Sequence, residues 1–379
     1  MTTPIAADLL EHFGHLTDPR IERTKEHKLI DIVLIALCAV LAGADGWAAV
    51  EMFGRAKENW LRTFLELPNG IPSHDTFGRV FSMLDPTEFE QAFSQWVASA
   101  SQTLKGQIIA LDGKSLRCSH DHILGKNAIH MVSAWATAHH LVLGQRKIED
   151  KSNEISALPE LLQVLILEGC IVTIDAMGCQ TEIAETIVQR GAEYVLSLKE
   201  NQGTLYEDVK ELFVGADEVT FRDVPHDSVR EVTKDHGRLE IRECWVLTDP
   251  EYLNYVRRIE DWTNLRSLVR ICTEVRHEQT TVSRETRYFL SSLRGSAQDM
   301  INAVRGHWGI ENGLHWILDV TFREDASRVR KDHAPENFAV LRHIALNILN
   351  RARKGKESIK TMRLRAGWDE SYLTKLLTQ

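Results

Sequence analysis

The chain of 379 residues has only six cysteines (38, 118, 170, 179, 244 and 272), and none is paired as C-x-x-C. That excludes a disulfide scaffold; scattered thiols of this kind read as reduced and mostly buried, in a cytoplasmic protein. "MTTPIAADLLEHF" lacks a basic segment leading into an apolar one, so no secretory leader is expected. The most apolar run, Ile32 to Ala42, falls far short of the ~20 residues that span a bilayer and reads as a core helix. No repeat, low-complexity tract or G-x-S-x-G elbow is present, so acyl-transfer chemistry finds no support. "CSHDH" (Cys118 to His122) with His139 and His140 fits no common zinc spacing and reads as a polar turn. An excess of positive charge is missing too: 45 Lys and Arg face 54 Asp and Glu, a net charge of −9. Averaged over the chain, that argues mildly against nucleic acid. Distribution matters more.

One stretch runs the other way. "RARKGKESIKTMRLR", 351–365, carries Arg351, Arg353, Lys354, Lys356, Lys360, Arg363 and Arg365 against the single Glu357. It is either a solvated helix face or a phosphate-binding surface. The rest is ordinary for a soluble globular protein, with 43% apolar and 26% charged residues in a length suited to two or three domains.

Residues 1–103 read as an all-helical domain, either DNA-binding or a packing partner. "HKLIDIVLIALCAVLAG" is an apolar helix closed by Gly43, and "GWAAVEMFGRAKENWLRTFLEL" repeats its apolar residues near 3.6. Pro86 after Asp85 marks the start of a further helix. From about 104 the pattern changes. "GQIIALDG", "AIHMVSAWATA" and "HLVLGQRKIE" read as three strands of an antiparallel meander. "LPELLQVLILEG" is then a helix ending at Gly169, "CIVTIDAMG" a strand, "CQTEIAETIVQRG" a helix and "AEYVLSLK" a strand. This order predicts an α/β, RNase H-like domain with a mixed five-stranded sheet, its first and fourth strands adjacent and parallel. Residues 206–290 look like a β-rich insertion or separate subdomain, beginning with a hairpin that turns at Asp235-His236-Gly237. Helices resume at 296.

Two of those strands run into an acid: "IIALDGKSLR" into Asp112 and "IVTIDAMGCQ" into Asp175. A lone aspartate after a strand is usually a turn former or cap. Two at the carboxyl ends of neighbouring parallel strands sit where open α/β sheets place their ligands. Like charges held close repel unless a cation lies between them, and magnesium prefers carboxylate oxygen. Two such ions can activate a water or 3′-hydroxyl against a phosphodiester, a chemistry that needs a third acid. Glu311 in "RGHWGIENGLHWILDV" is the candidate, expected on the mainly apolar helix face with Trp308, Leu314 and Leu318. The plainer reading is a buried Glu311 paired with His315.

"ALDGKSLR", "KSNEISALPELL", "TIDAMGCQ", "YVLSLKENQG", "DHGRLEIR" and "HWGIENGLHWILDV" resemble, in order, motifs of the H-repeat-associated insertion-sequence transposases, within the Asp-Asp-Glu group. "HKLIDIVLIALCAVLAGADGW" and "IPSHDTFGRVFSMLDPTEFEQAF" resemble that family's leading domain, so the likeness covers about residues 10–350. It implies an RNase H-like catalytic domain over 104–350, interrupted by the β-rich insertion at about 206–290, with a basic C-terminal tail at 351–379. It implies Asp112, Asp175 and Glu311 as catalytic acids and metal ligands, with Mg2+ as cofactor and Mn2+ as substitute. The partners implied are double-stranded DNA, both the element's terminal inverted repeats and the target, with a homodimer in the DNA complex and a cytoplasmic, nucleoid-associated site of action. The wider group carries tyrosine, arginine and lysine around the third acid; here those positions hold Val304, His307 and Leu318. His307 when protonated, His315, Trp316, Asp319, Lys114 and Arg117 are candidate replacements as DNA contacts, beside Arg351, Arg353, Lys354 and Lys356. The alternatives are a nuclease of the same fold that cuts without joining, and a non-catalytic DNA-binding protein descended from a transposase.

Overall fold

In a computed structural model, residues 6–100, 104–120, 128–148, 154–235, 238–277 and 280–378 are described. The first zone is helical: α1 (Ala7–Phe13), α2 (Leu29–Leu41), α3 (Trp47–Ala56), α4 (Glu58–Leu61), α5 (His74–Met83) and α6 (Pro86–Ala100). Local chemistry sets the starts. Ser73 caps α5 by accepting the Thr76 N–H, and Asp85 accepts the Thr87 N–H at 2.8 Å as Pro86 opens α6. All of α2 except Ile30 is buried, as befits a helix apolar on nearly every side. Among the described residues no helix is long and apolar enough to cross a membrane. All six cysteines are free thiols.

The alternating zone forms β1 (Ile108–Leu116), β2 (Ile129–Ala136), β3 (Leu141–Ile148), α7 (Glu154–Val164), β4 (Ile171–Ile174), α8 (Thr181–Gln189) and β5 (Glu193–Leu198). β1, β2 and β3 make the antiparallel meander, β4 pairs in parallel with β1, and β5 in parallel with β4. Two boundaries differ from expectation. α7 stops at Val164 rather than Gly169, whose φ of +71° belongs to the turn entering β4. Asp112 lies inside β1 rather than at its end, because β2 still pairs with it (opposite Ser133) after β4 has stopped.

The larger difference is the sheet itself, which among the described residues has nine strands rather than five. After α9 (Gly203–Glu218), β6 (Asp227–Asp235) and β7 (Arg238–Leu247) pair as the expected hairpin; its turn residues His236 and Gly237 lie outside the described residues. α10 (Pro250–Leu253), β8 (Ser267–His277) and β9 (Thr280–Ser291) follow. β9 pairs antiparallel with β5, Leu196 opposite Leu290, giving the order β3-β2-β1-β4-β5-β9-β8-β7-β6. The segment expected as an insertion or subdomain thus continues the same sheet. Without it β5 would present an open edge of unpaired N–H and C=O groups. Alternation explains the burial on both faces: Leu268 and Leu290 join the main core, while Val269 and Phe289 face Met300 and Ile301 on the next helix.

The remaining helices are α11 (Ala297–His307), α12 (Trp316–Val320), α13 (Ala334–Ala352), α14 (Ile359–Trp368) and α15 (Glu370–Leu377). α13 joins the two zones into one core. Asn347 both accepts from and donates to the Val142 backbone at 2.8 Å, on β3. On the other side Asn337 donates to the carbonyls of Phe81 and Leu84. Residues beyond 351 are not a tail. α14 and α15 fold back on the first zone, where Trp60 donates to Thr374 at 2.9 Å and Lys57 meets Glu370 at 3.0 Å. Arg363, one of the seven basic residues, is buried and donates to Val40 O at the end of α2, a carbonyl that also accepts the Gly43 N–H at 3.2 Å.

Candidate active site

The segment after β9 lies unusually close to the sheet, and glycine is the reason. A Cβ at Gly306 would stand 2.9 Å from Ile108 Cδ1, at Gly309 3.0 Å from Thr137 Cγ2, and at Gly313 2.8 Å from Trp135 Cζ2. Larger residues could not approach β1 and β2 so nearly. Between α11 and α12 the backbone makes a π turn over Glu311–His315, closed by the Trp316 N–H donating to Glu311 O. Such turns insert a residue into the helix and recur at functional sites. Leu314 and His315 point inward, while Glu311 is exposed and lines a cleft of about 190 Å³.

Asp112 and Asp175 line the same cleft. Each follows the last parallel pair of β1 and β4, Leu111 opposite Ile174, so the two acids are neighbours across the strands. Asp112 Oδ2 accepts from His315 Nε2 at 3.1 Å. Asp175 Oδ1 accepts the N–H groups of Met177 at 3.1 Å and Gly178 at 3.4 Å. His307 joins them, its Nδ1 3.2 Å from Thr173 Oγ1. Burial holds the imidazole below its ordinary range, against the upward pull of Asp112, Asp175 and Glu311. That lowering favours the neutral, hydrogen-bonding ring over the protonated one. Among the described residues no three His, Cys, Asp or Glu side chains gather closely enough, as placed, to hold a metal ion.

Several sequence expectations change at this site. Glu311 does not share the face of Leu314 and Leu318, because the π turn breaks the 3.6-residue wheel on which that face was drawn. Nor does it pair with His315, whose Nε2 is committed to Asp112 and whose buried Nδ1 has no partner among the described residues. Lys114 is largely covered and bonded to Asp319 and to Glu324, the latter at 2.8 Å, so neither Lys114 nor Asp319 is open to phosphate. Burial opposes the Glu324 charge, yet Lys114, Arg342 and His343 together outweigh it and hold this carboxyl at about 2. Arg117 is exposed and 3.4 Å from Asp325. Arg351 lies over Trp96, Arg353 donates to Glu357 O, and Lys354 and Lys356 are exposed; none of the four lines the cleft. Of the zinc candidates, Asp121 and His122 lie outside the described residues.

Sequence reasoning passed over Lys199, Glu285 and Arg287, which line the cleft beside the acids. For Lys199 a signal existed: it follows β5, at the carboxyl end of the third parallel strand, where ligands collect. Glu285 and Arg287 stand two apart on β9 and so share a face, but nothing local marks that strand as a neighbour of β5.

Comparison with known proteins follows the same division of the chain. Residues 10–97 match the family described as DDE_Tnp_1-associated, and residues 103–348 match the Transposase DDE domain. The chain is 38% identical over 372 residues to "H repeat-associated putative transposase YhhI" of Escherichia coli (strain K12), covering 97% of each. It is 39% identical over 373 residues to "Putative transposase YncI" of Escherichia coli O157:H7, covering 97% of this chain and 94% of that one. An uncharacterized protein from the dhlA 3′ region of Xanthobacter autotrophicus is 46% identical over 285 residues, 74% of this chain and 92% of that one.

Proposed function

The chain belongs to the H repeat-associated, DDE-domain transposases of insertion sequences, and from that premise we propose that Asp112, Asp175 and Glu311 are the acids with which it cuts and joins phosphodiesters at element ends. The observation that carries this reading is their convergence in one cleft from β1, the end of β4 and the π turn. The order of the first five strands, with β1 and β4 parallel, supports an RNase H-like catalytic domain over 104–350, which β6 to β9 extend. We assign residues 1–103 to a helical unit that shares in holding DNA.

Three carboxylates in a narrow cleft repel one another and repel a phosphodiester. An all-oxygen donor set of this kind suits Mg2+, with Mn2+ as substitute, and Asp112, Asp175 and Glu311 would hold it. The bound ions would supply charge neutralisation and an activated water or 3′-hydroxyl. The protein's part is positioning. His315 holds the Asp112 carboxylate by a hydrogen bond, and the Met177 and Gly178 N–H groups hold that of Asp175. Gly306, Gly309 and Gly313 bring the Glu311 backbone down onto the strands. Orientation of this kind supplies much of the barrier reduction in phosphoryl transfer. In the complete reaction we expect two copies of the chain to hold the paired inverted repeats and the target DNA.

The test is purified protein incubated with labelled element ends, target DNA and magnesium. Joined product is expected; cut product alone would mean a nuclease, and a mobility shift without cutting would mean a binding protein. Asp112→Ala, Asp175→Ala and Glu311→Ala should each lower cleavage by orders of magnitude while retaining DNA binding. A Glu311→Ala protein that melts normally and cuts at the parent rate ends the three-acid reading.

A further inference from the structure

The acid cleft also contains the charges that could answer a phosphodiester. Two basic side chains line it, Lys199 just past β5 and Arg287 on β9. Arg287 is held in a set orientation. Its Nε and Nη2 donate to the two oxygens of Glu285, both at 2.7 Å, and its guanidinium lies 4.8 Å from the centre of the Trp308 ring. A guanidinium has five N–H donors, so three remain for a ligand once Glu285 has taken two. Lys199 acts on the same carboxyl: Arg287 first, and Lys199 more weakly, hold Glu285 below the usual carboxylate range.

Position gives this cluster its meaning. Arg287 and Trp308 line the acid cleft and also a second groove of about 370 Å³, between α11 and strands β7 to β9, which Arg238, Arg242 and Arg305 share with Glu240 and Glu285; Arg242 pairs with Glu240 at 2.7 Å and Arg305 with Glu231 at 3.3 Å. A strand leaving the acids on that side passes Arg287 first and then three further arginines, two of them paired with carboxylates. On the other side Lys199 and Arg287 both border a third depression that reaches Asp175. Arg287 thus stands where three hollows meet. Trp308, 45% exposed, presents its ring to the Arg287 guanidinium at that junction.

Resting on the three-acid reading, we infer that Arg287, together with Lys199, grips the phosphate of the DNA strand beside the cut. The planar fork of Arg287 can address two phosphate oxygens at once, whereas Lys199 contributes a compact point charge. Their carriers, β9 and the end of β5, are paired strands, so the grip is rigid relative to Asp175 at the end of β4.

The test uses full-length protein and a labelled duplex carrying the end of the encoding element. Affinity is measured by anisotropy over a salt series in calcium, and cleavage in magnesium. Arg287→Ala should lose about tenfold in affinity, the worth of a hydrogen bond to a charged group. The slope of log affinity against log salt should fall by about 0.9 for Arg287→Ala, and likewise for Lys199→Ala. Arg287→Lys should keep the slope and lose affinity, because it retains the charge without the fork. Asp112→Ala, run alongside, should stop cleavage with an unchanged slope. If Asp112→Ala cuts at the parent rate, the three-acid reading fails. If Asp112→Ala is inert but Arg287→Ala and Lys199→Ala bind with parent slope and affinity, the phosphate grip alone is overturned. Should Arg287→Ala melt early, Arg287→Gln carries the same slope measurement with the side chain's bulk retained.

Discussion

Gly313→Ala adds one methyl group where the structure leaves no room for it. The new Cβ would lie 2.8 Å from Trp135 Cζ2 and 3.3 Å from its Cε2. Carbon atoms settle at about 3.5–4.0 Å, so the helical segment and the ring must part by roughly 0.7 Å or more. Trp135 is fully buried and cannot swing into solvent. The π turn therefore gives way, and Glu311 moves with it. Overpacking of this kind costs about 1–3 kcal/mol. For 379 residues the unfolding entropy is about 0.8 kcal/mol/K, so melting should fall by only about 1–4 °C. Misplacing a catalytic group by 1 Å can lower a rate by about a hundredfold, and cleavage should drop on the order of tens to a hundredfold. Binding to element ends should hold, since no phosphate contact is removed. Trp135→Phe in the same chain deletes the crowding atoms along with an Nε1 that has no partner among the described residues, and should restore part of the rate. Gly215→Ala is the control: its Cβ meets nothing within 4 Å in α9, so it should stabilise by about 0.5–1 kcal/mol with cleavage unchanged. The assay is gel-resolved cleavage of labelled ends beside a melting curve. A Gly313→Ala protein that cuts at the parent rate would refute the claim that close packing sets the place of Glu311.

Three more outcomes follow from the same geometry. Lys114→Met strips Glu324 of a bonded cation in a covered site and should destabilise by about 3–5 kcal/mol in urea titration, with the salt slope of DNA binding unchanged; a lowered slope would return Lys114 to the DNA contacts. Glu324 sits at about 2 in the folded chain, against an ordinary 4.5, so its ionised form stabilises the fold above pH 4.5 by about 3 kcal/mol. That contribution is lost as pH falls from 4.5 toward 2, and the difference in urea midpoint between parent and Glu324→Gln should shrink across the same window; a difference independent of pH would count against it. Neutralising Arg353, Lys354 and Lys356 together should flatten the salt dependence of DNA binding by about three units if these exposed residues touch phosphate, and an unchanged slope would leave them a solvated surface.

Local pattern alone was enough for much of the molecule. Unbroken apolarity from Ile32 to Leu41 can only be satisfied by a helix buried on nearly every side. A meander followed by helix, strand, helix and strand leaves β1 and β4 adjacent and parallel, which brings Asp112 and Asp175 together before any coordinate is known. Those are consequences of period, chain length and connection, all written along the sequence. What tertiary structure decided is of another kind. That β9 closes the open edge of β5, making nine strands of an expected five, depends on which edge a distant hairpin meets. Through that pairing Glu285 and Arg287 arrive beside Asp112 and Asp175, more than a hundred residues away in the chain. Arg363 belongs to a basic run that composition left open between a solvated face and a phosphate-binding surface; it became a helix cap because the end of α2 had carbonyls to offer. Lys114 stands two residues from Asp112 on the same face of β1, yet the approach of α12 and the turn after it gave it to Asp319 and Glu324 instead. Glu311 was legible as an acid and misread as a neighbour of Leu314, since a helical wheel assumes 3.6 residues per turn and the π turn does not keep to it. A sequence states each residue's periodicity and charge; which charge meets which is set by long-range packing, where a single inserted residue turns a side chain from the core toward the cleft.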